Sequence, residues 1–557
     1  MFLSTPRMPN KIQGEEGFPR INMKGFESLG VMLDVSRNAV MKVSRVKELI
    51  DYLEKFGYNQ LMLYTEDTYE ITDEPKFGYL RGRYSKQELK EIDAYASAHG
   101  VELVPCIQTL AHLNGIVRWP EYWWHSDMDD ILLVGDERTY KLIDKMFATL
   151  AECFTSRKVN IGLDEAANLG RGKYLDKNGY ENRADIFLKH LGKVVEIAEG
   201  YGFECLCWSD MLFSMNSMRD YYRPDAIKDV KNLDKIPKNL SMIYWDYYHD
   251  DKSVYDKMIA SHRLMERNLW VASGVWTWGS YAPFLKDGFK TVTPAVLAAK
   301  EAGVKNFIVC LWHNGAECPM FASLPGLFHA AELSRGNTDM DLIKANFKEI
   351  VGVEFDRFLQ LDYPNEVSQG RLFDNPARYM LYNDLFLGIF DKSVTLGDGT
   401  PYAEYAKALA PQPTDGAFAD MFALESELCY VLANKYELGV RTRQAYQAGD
   451  KAALASLCQK EYIEGLAHLE KFHDCVRKWW FTDNKGYGFE VIDTRLGGVM
   501  QRFKTCKARL ESYLAGEVEC IEELEEDIQD YPVFGRMMEG KKVSYGLWRA
   551  TVTPNCI

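Results

Sequence analysis

The sequence predicts a (β/α)8 barrel followed by a mostly α-helical C-terminal region. Eight short β-rich runs recur between about Gly30 and Trp312, helical patterns separate most of them, and the β signal fades after about Ser334. The first run is GVMLDVS (Gly30–Ser36). Behind it, Val43, Val46, Leu49, Ile50 and Leu53 recur at helical spacing. QLMLYT (Gln60–Thr65) is the second run, and its helix SKQELKEIDAYASAHG opens on a Ser cap and closes on Gly100. VELVPCIQ follows, then an irregular stretch with Trp119, Trp123 and Trp124. KVNIGL is the fourth run, with a helix over Arg183–Gly202 behind it. FECLCW, LSMIYW, NLWVASG and NFIVCLW complete the set. GAFADMFALESELCYVLANKYEL and RLGGVMQRFKTCKARLESYLAG then read as long amphipathic helices. The expected division is an N-terminal extension over 1–27, a barrel over 28–335 and a helical domain over 336–557.

A chain of 557 residues exceeds one compact core, and 47% hydrophobic with 26% charged residues is ordinary for a soluble globular protein. A net charge of −15 argues against a nucleic-acid backbone or an anionic membrane as the main partner. No run of 18 or more uncharged apolar residues suggests a membrane span, and MFLSTPRMPNKIQGEEG has no apolar core of a signal peptide. The 12 Cys are scattered without a CxxC pair and read as reduced thiols, so a cytoplasmic location is expected. No GxGxxG or Walker pattern follows any β-run, and the 10 His show neither HxH nor HExxH spacing. Neither a nucleotide cofactor nor a metal is expected. The oligomeric state is open, a homodimer included.

In such a barrel, chemistry gathers where the strands end. Those ends carry Glu66 and Asp67, Gln108 and His112, Asp164 and Glu165, Trp208 and Asp210, Trp245 to Tyr248, Trp276 and Trp278, and Trp312 to Asn314. Acids beside indoles suit a glycosidic bond: a carboxylic acid protonates the leaving oxygen while indole walls hold the sugar. Singly, each has a plainer reading. A lone strand-end Trp packs the rim, Asp67 and Asp210 read as cap or loop residues, and His112 as a core histidine. Only the convergence favours chemistry.

The ordered set resembles glycoside hydrolase family 20, the β-N-acetylhexosaminidases, and within it the hexosaminidase D branch and bacterial relatives with a helical C-terminal domain. The likeness rests on GLDE at Gly162–Glu165, GVMLDVSR, LYTEDTYE, VPCIQTLAH, CWSDML and YWDYYH. It implies exo-acting retaining hydrolysis of a terminal N-acetylhexosamine, GlcNAc or GalNAc, from a glycan or glycoconjugate. The substrate's own 2-acetamido oxygen would be the nucleophile. By this resemblance Glu165 is the acid and then the base, in an apolar pocket that keeps it protonated. Asp164 orients the acetamido group, and His112, positioned by Glu66, contacts the acid. Trp208, Trp245 and Trp312 form the sugar pocket, Tyr247 donates to the acetamido carbonyl, and Trp276 is a further pocket member.

Two positions depart from the family's pattern. The arginine expected just before the glycine of the first strand is Leu29, and Asn314 stands where a carboxylate is common. Relaxed discrimination at the sugar's O4 is the consequence expected. Two alternatives compete: a retaining exo-glycosidase with two protein carboxylates, and a non-catalytic sugar-binding barrel. A metal hydrolase is the weakest reading.

Overall fold

The computed structural model describes residues 25–214, 221–229, 233–367 and 372–529. The expected N-terminal extension over 1–27 falls almost wholly outside the described residues, as does the end of the chain from 530. Eight parallel strands close a barrel: β1 (Ser28–Asp34), β2 (Gln60–Tyr64), β3 (Glu102–Cys106), β4 (Lys158–Asn160), β5 (Glu204–Trp208), β6 (Ser241–Trp245), β7 (Leu269–Gly274) and β8 (Asn306–Leu311). β1 pairs with both β2 and β8, so no edge is left open. All eight β-runs of the sequence are strands of this barrel.

Strand side chains alternate between the two faces of the barrel wall. Met32, Met62, Val104, Leu206, Ile243 and Ile308 fill the interior. Leu29, Val31, Leu33 and their counterparts pack outward against the helical layer. That layer holds α1 (Val43–Phe56), α2 (Lys86–Ala98), α3 (Glu137–Cys153), α4 (Arg183–Gly200), α5 (Lys252–Arg263), α6 (Leu285–Glu301) and α7 (Leu324–Arg335). α2 begins as its sequence implies: Ser85 accepts from the Glu88 N–H, and Glu88 accepts in return from the Ser85 N–H. The β5-to-β6 crossover differs, using a short helix Asp210–Ser214 and two 3-10 turns, Ala226–Asp229 and Leu233–Lys235.

The C-terminal region is helical, dominated by α8 (Ala419–Lys435), α9 (Glu461–Asp483) and α10 (Phe489–Ala515). It is fastened to the barrel by polar contacts. Asp362 accepts from the main-chain N–H groups of Leu285 and Lys286, both at 2.8 Å, and so caps a helix that has no cap of its own. Arg378 and Arg495 both meet the buried Glu317 of the loop after β8. The main-chain N–H of Lys42 donates to Asp483, and that of Lys485 to Val40. Among the described residues no helix is long and apolar enough to cross a membrane, and the cysteines are free thiols, most of them buried.

The barrel seam between β3 and β4 is its thinnest. Only Cys106 and Asn160 are in strand register there, after which the chain turns left-handed at Gly162 with φ +74°. A methyl group on Gly162 would lie 2.2 Å from Gln108 Oε1 and 2.7 Å from the Ile107 carbonyl oxygen. The second contact is main chain and cannot step aside cheaply. Gly162→Ala is therefore expected to cost at least about 3 kcal/mol, clash and left-handed backbone together. Chemical denaturation checks this, and an unchanged midpoint would overturn it.

Candidate active site

The end of β4 brings two carboxylates to one side of the chain. In a regular strand, adjacent residues face opposite ways. Here Gly162, Leu163 and Glu165 all take left-handed φ values of +74°, +74° and +53°, so the alternation is broken. His112, itself left-handed at φ +58°, reaches both acids. Its Nε2 lies 3.1 Å from Asp164 Oδ2 and 3.5 Å from Glu165 Oε2. The Asp164 contact is at ion-pair distance but off the line of a straight hydrogen bond.

The two acids live in different surroundings. Asp164 is buried, and its Oδ1 accepts from Gln108 Nε2 at 2.8 Å. The Glu165 side chain is 58% exposed. That differs from the apolar enclosure expected for it: the protein leaves its carboxylate end open to the mouth. Burial alone would raise the Asp164 carboxyl, but the His112 cation and the Gln108 amide outweigh it and hold it low. Reciprocally, burial disfavours the His112 cation, yet Asp164 outweighs this and raises the imidazole to about 9. His112, Asp164 and Glu165 have donor atoms within 4.8 Å of one another, close enough to hold one cation. A cation bound there would have to displace the proton that Asp164 stabilises on His112.

A polar chain runs from here across the mouth. Gln108 Nε2 also donates to Tyr64 Oη at 3.1 Å, and Tyr64 donates to Glu66 Oε1 at 3.2 Å. Arg37 Nε meets the same Glu66 oxygen at 3.1 Å, and its guanidinium lies over the Trp312 ring at 5.0 Å. Two expectations change. Glu66 grips Arg37 and Tyr64 instead of positioning His112, whose main-chain N–H is held by Asp130 at 3.0 Å. Leu29 points outward near the start of β1, among the barrel–helix contacts, so it cannot occupy a sugar-gripping position. The cation at the mouth is Arg37, three residues past the end of β1. Its signal was in the sequence, as the last residue of GVMLDVSR.

Aromatic rings line the interior beneath. Trp208 is buried at 6.1 Å from Trp312, and its indole N–H has no partner among the described residues. Trp245 stacks on Tyr247 at 5.4 Å, and Trp312 stands edge-on to Tyr64 at 4.8 Å. The Tyr247 hydroxyl is turned toward Cys310 Sγ, 3.6 Å away. Trp276 is no sugar platform. It is fully buried between Trp278 at 4.3 Å and Phe373 at 3.8 Å, and its N–H donates to the Tyr247 carbonyl. Trp276 thus braces the loop that carries Tyr247. Asn314 accepts from Arg378 through its main-chain carbonyl at 3.2 Å.

Asp210, which reads as a cap residue in the sequence, belongs to the site. Its Oδ2 accepts the main-chain N–H of Glu165 at 2.9 Å, pinning the left-handed residue, and its Oδ1 faces the Trp245 indole N–H at 3.4 Å. Burial and then the Asp164 charge push its carboxyl up to about 8. Burial and the neighbouring anion thus favour the protonated form of Asp210 over a second negative charge. In an unfolded chain Asp210 would ionise near 3.8, so the folded protein holds an extra proton between that value and about 8, and stability drains as pH rises. Asp210→Asn keeps an acceptor and removes the charge. It should raise Tm by a few degrees more near pH ~8.5 than near pH ~5. Thermal melts at both pH values check this, and an equal shift at both would contradict it.

Comparison with known proteins places this geometry. The description "Glycosyl hydrolase family 20, catalytic domain" matches residues 26–260, and "Glycoside Hydrolase 20C C-terminal domain" matches 356–542. Hexosaminidase D of Homo sapiens is 23% identical over 261 residues, 44% of this chain and 51% of that protein. A beta-hexosaminidase of Vibrio furnissii is 25% identical over 177 residues, 25% of this chain and 29% of its own length. The chain thus spans about half the length, or less, of these two curated relatives. Among solved structures, a GH20 exo beta-N-acetylglucosaminidase from Vibrio harveyi superposes with a TM-score of 0.46 at 14% identity, over 61% of this chain and 58% of that one. The Streptomyces plicatus N-acetyl-beta-hexosaminidase gives 0.44 at 19%, over 60% and 70%. With matches to both its catalytic and its C-terminal domain, the chain belongs to glycoside hydrolase family 20.

Proposed function

We propose that the protein is an exo-acting retaining β-N-acetylhexosaminidase that removes terminal β-linked GlcNAc or GalNAc by substrate-assisted catalysis. One observation carries the reading: among the described acids at the mouth, Glu165 alone is unengaged enough to move a proton to and from substrate. Asp164 is held ionised by His112 and Gln108. Glu66 is taken by Arg37 and Tyr64, and Asp210 by the Glu165 N–H and Trp245. Asp246 is buried against Tyr244 and His249. A two-carboxylate mechanism needs a second free acid as nucleophile. With each of these acids engaged, the sugar's 2-acetamido oxygen is the better candidate.

In this reading Glu165 protonates the glycosidic oxygen, then deprotonates the water that opens the oxazolinium-like intermediate. Asp164 accepts the acetamido N–H and offsets the positive charge that develops on the ring. Trp208, Trp245 and Trp312 wall the sugar, and the unpaired Trp208 N–H is a donor for it. Arg37 takes the hydroxyl-gripping part once expected of an arginine at Leu29, so relaxed O4 discrimination loses its motive. The division into a barrel over 28–335 and a helical domain over 336–557 belongs to the same reading, as does a cytoplasmic location consistent with the free thiols.

Glu165→Gln should lower kcat on glycan substrates by roughly 10²–10⁴-fold, and least on aryl glycosides whose leaving group needs little protonation. Replacing the substrate's 2-acetamido group by hydroxyl should abolish turnover; retained turnover would instead favour two protein carboxylates. The kcat/KM profile of the free enzyme should fall as pH passes about 9, where His112 loses its proton. In His112→Ala that basic limb should move, and an unmoved limb would reduce His112 to packing.

A further inference from the structure

Behind the pocket wall, three buried side chains form a hydrogen-bonded chain to which the mechanism above gives no part. Ser209 stands between Trp208 and Asp210 at the end of β5, and His262 lies on α5. Ser209 Oγ is 2.7 Å from His262 Nε2 and 2.9 Å from the Tyr221 hydroxyl. Tyr221, in the β5-to-β6 crossover, accepts in turn from the main-chain N–H of Trp245 at 3.2 Å. A serine beside a histidine has the makings of a nucleophile and its base. Ser209 is fully buried, however, and no substrate reaches it.

Counting protons gives the chain a direction. His262 Nδ1 lies 2.7 Å from the Met258 carbonyl, which can only accept, so Nδ1 carries the hydrogen. Burial lowers the imidazole to about 4, so the ring is neutral and Nε2 is a bare acceptor. The Ile243 carbonyl also lies 2.9 Å from Ser209 Oγ, but it already receives the Ser209 main-chain N–H. The shorter contact and the satisfied carbonyl assign the hydroxyl proton to Nε2. The Ser209 oxygen then accepts from Tyr221, whose own oxygen is left to face Trp245.

That last bond has a structural cause. The β5–β6 ladder ends with Trp208 opposite Ile243, so the Trp245 N–H points past the end of β5. The Tyr221 hydroxyl takes the place of the missing strand. Its ring packs on the Trp245 indole at 4.8 Å, while the indole N–H faces Asp210, the neighbour of Ser209. Trp245 is thus held at its main chain and at its ring from one strand end. We propose that Tyr221 is a positioning residue for hydrolysis: its hydroxyl, oriented by Ser209 and His262, sets the angle at which the Trp245 indole meets the sugar. The proposal rests on the reading of Trp245 as a sugar wall. A wall that touches the sugar in ground and transition states alike acts on KM more than on kcat.

Tyr221→Phe removes the hydroxyl and keeps the ring. With 4-nitrophenyl N-acetylglucosaminide its KM should rise on the order of tenfold, while kcat changes by less than about threefold. Ser209→Ala and His262→Leu should move KM the same way, and His262→Gln, which keeps an acceptor, should recover part of the loss. In a double-mutant cycle, Tyr221→Phe should add little to Trp245→Phe, because its effect passes through the indole. A lowered Tm with KM unchanged, or an effect fully additive with Trp245→Phe, reduces Tyr221 to packing and overturns this proposal alone. If Trp245→Phe itself leaves KM unchanged, the sugar-wall reading falls and the proposal falls with it. If the wild type turns nothing over, the proposed function fails, and calorimetric binding of N-acetylglucosamine to the same variants still decides the positioning. Binding weakened by Tyr221→Phe only while Trp245 is present upholds it, and any other pattern refutes it.

Discussion

The site depends on one electrostatic constraint: two neighbouring carboxylates, with a third behind them, must share a small volume without flying apart. The protein meets it by assigning different charge states. His112 and Gln108 fix Asp164 as an anion, and burial beside that anion favours the protonated form of Asp210. Glu165 is left on the open side, pinned by its main-chain N–H, with its side chain 3.5 Å from His112. The same residues hold the left-handed backbone at the end of β4, so geometry and charge are set by one set of contacts. The thin β3–β4 seam follows, because a strand that continued regularly past Asn160 would turn the two acids apart.

This arrangement also orders the mouth as a whole. From Asp164 the hydrogen bonds pass through Gln108, Tyr64 and Glu66 to Arg37 on the far side of β2. In the other direction they pass through Asp210 to Trp245. The indole walls are thereby tied to the acid pair of β4. Such polar chains in a low-dielectric interior are rigid only when each member is satisfied. The exceptions, such as the Trp208 N–H, mark where a ligand has something to add.

The barrel was legible in the sequence because strands buried on both faces read as short continuous apolar runs bounded by helical patterns. What it could not convey were contacts between distant segments. Asp210 looks like an ordinary helix-opening acid, since its true partner, the Glu165 N–H, lies 45 residues away. Trp276 looks like a sugar platform because nothing local announces that Phe373 covers its face. The outward placement of Leu29 was hidden for a geometric reason. A position near the first residue of a barrel strand lies at the end opposite the chemistry, however suggestive its neighbours are. Arg37 was in view but sat just past the strand, where loop conformation decides the reach of a side chain.

The seal between barrel and helices has a consequence for how the two parts travel together. Asp362 supplies the missing cap of α6, and Phe373 closes the outer face of the tryptophan that props Tyr247. A barrel cut loose after α7 would keep every strand and both acids of β4. It would also carry a frayed helix and a bare indole beside the loop of Tyr247. The helical region is therefore no interchangeable appendage: a shuffled or transplanted barrel would have to bring these two side chains along, or evolve substitutes for them.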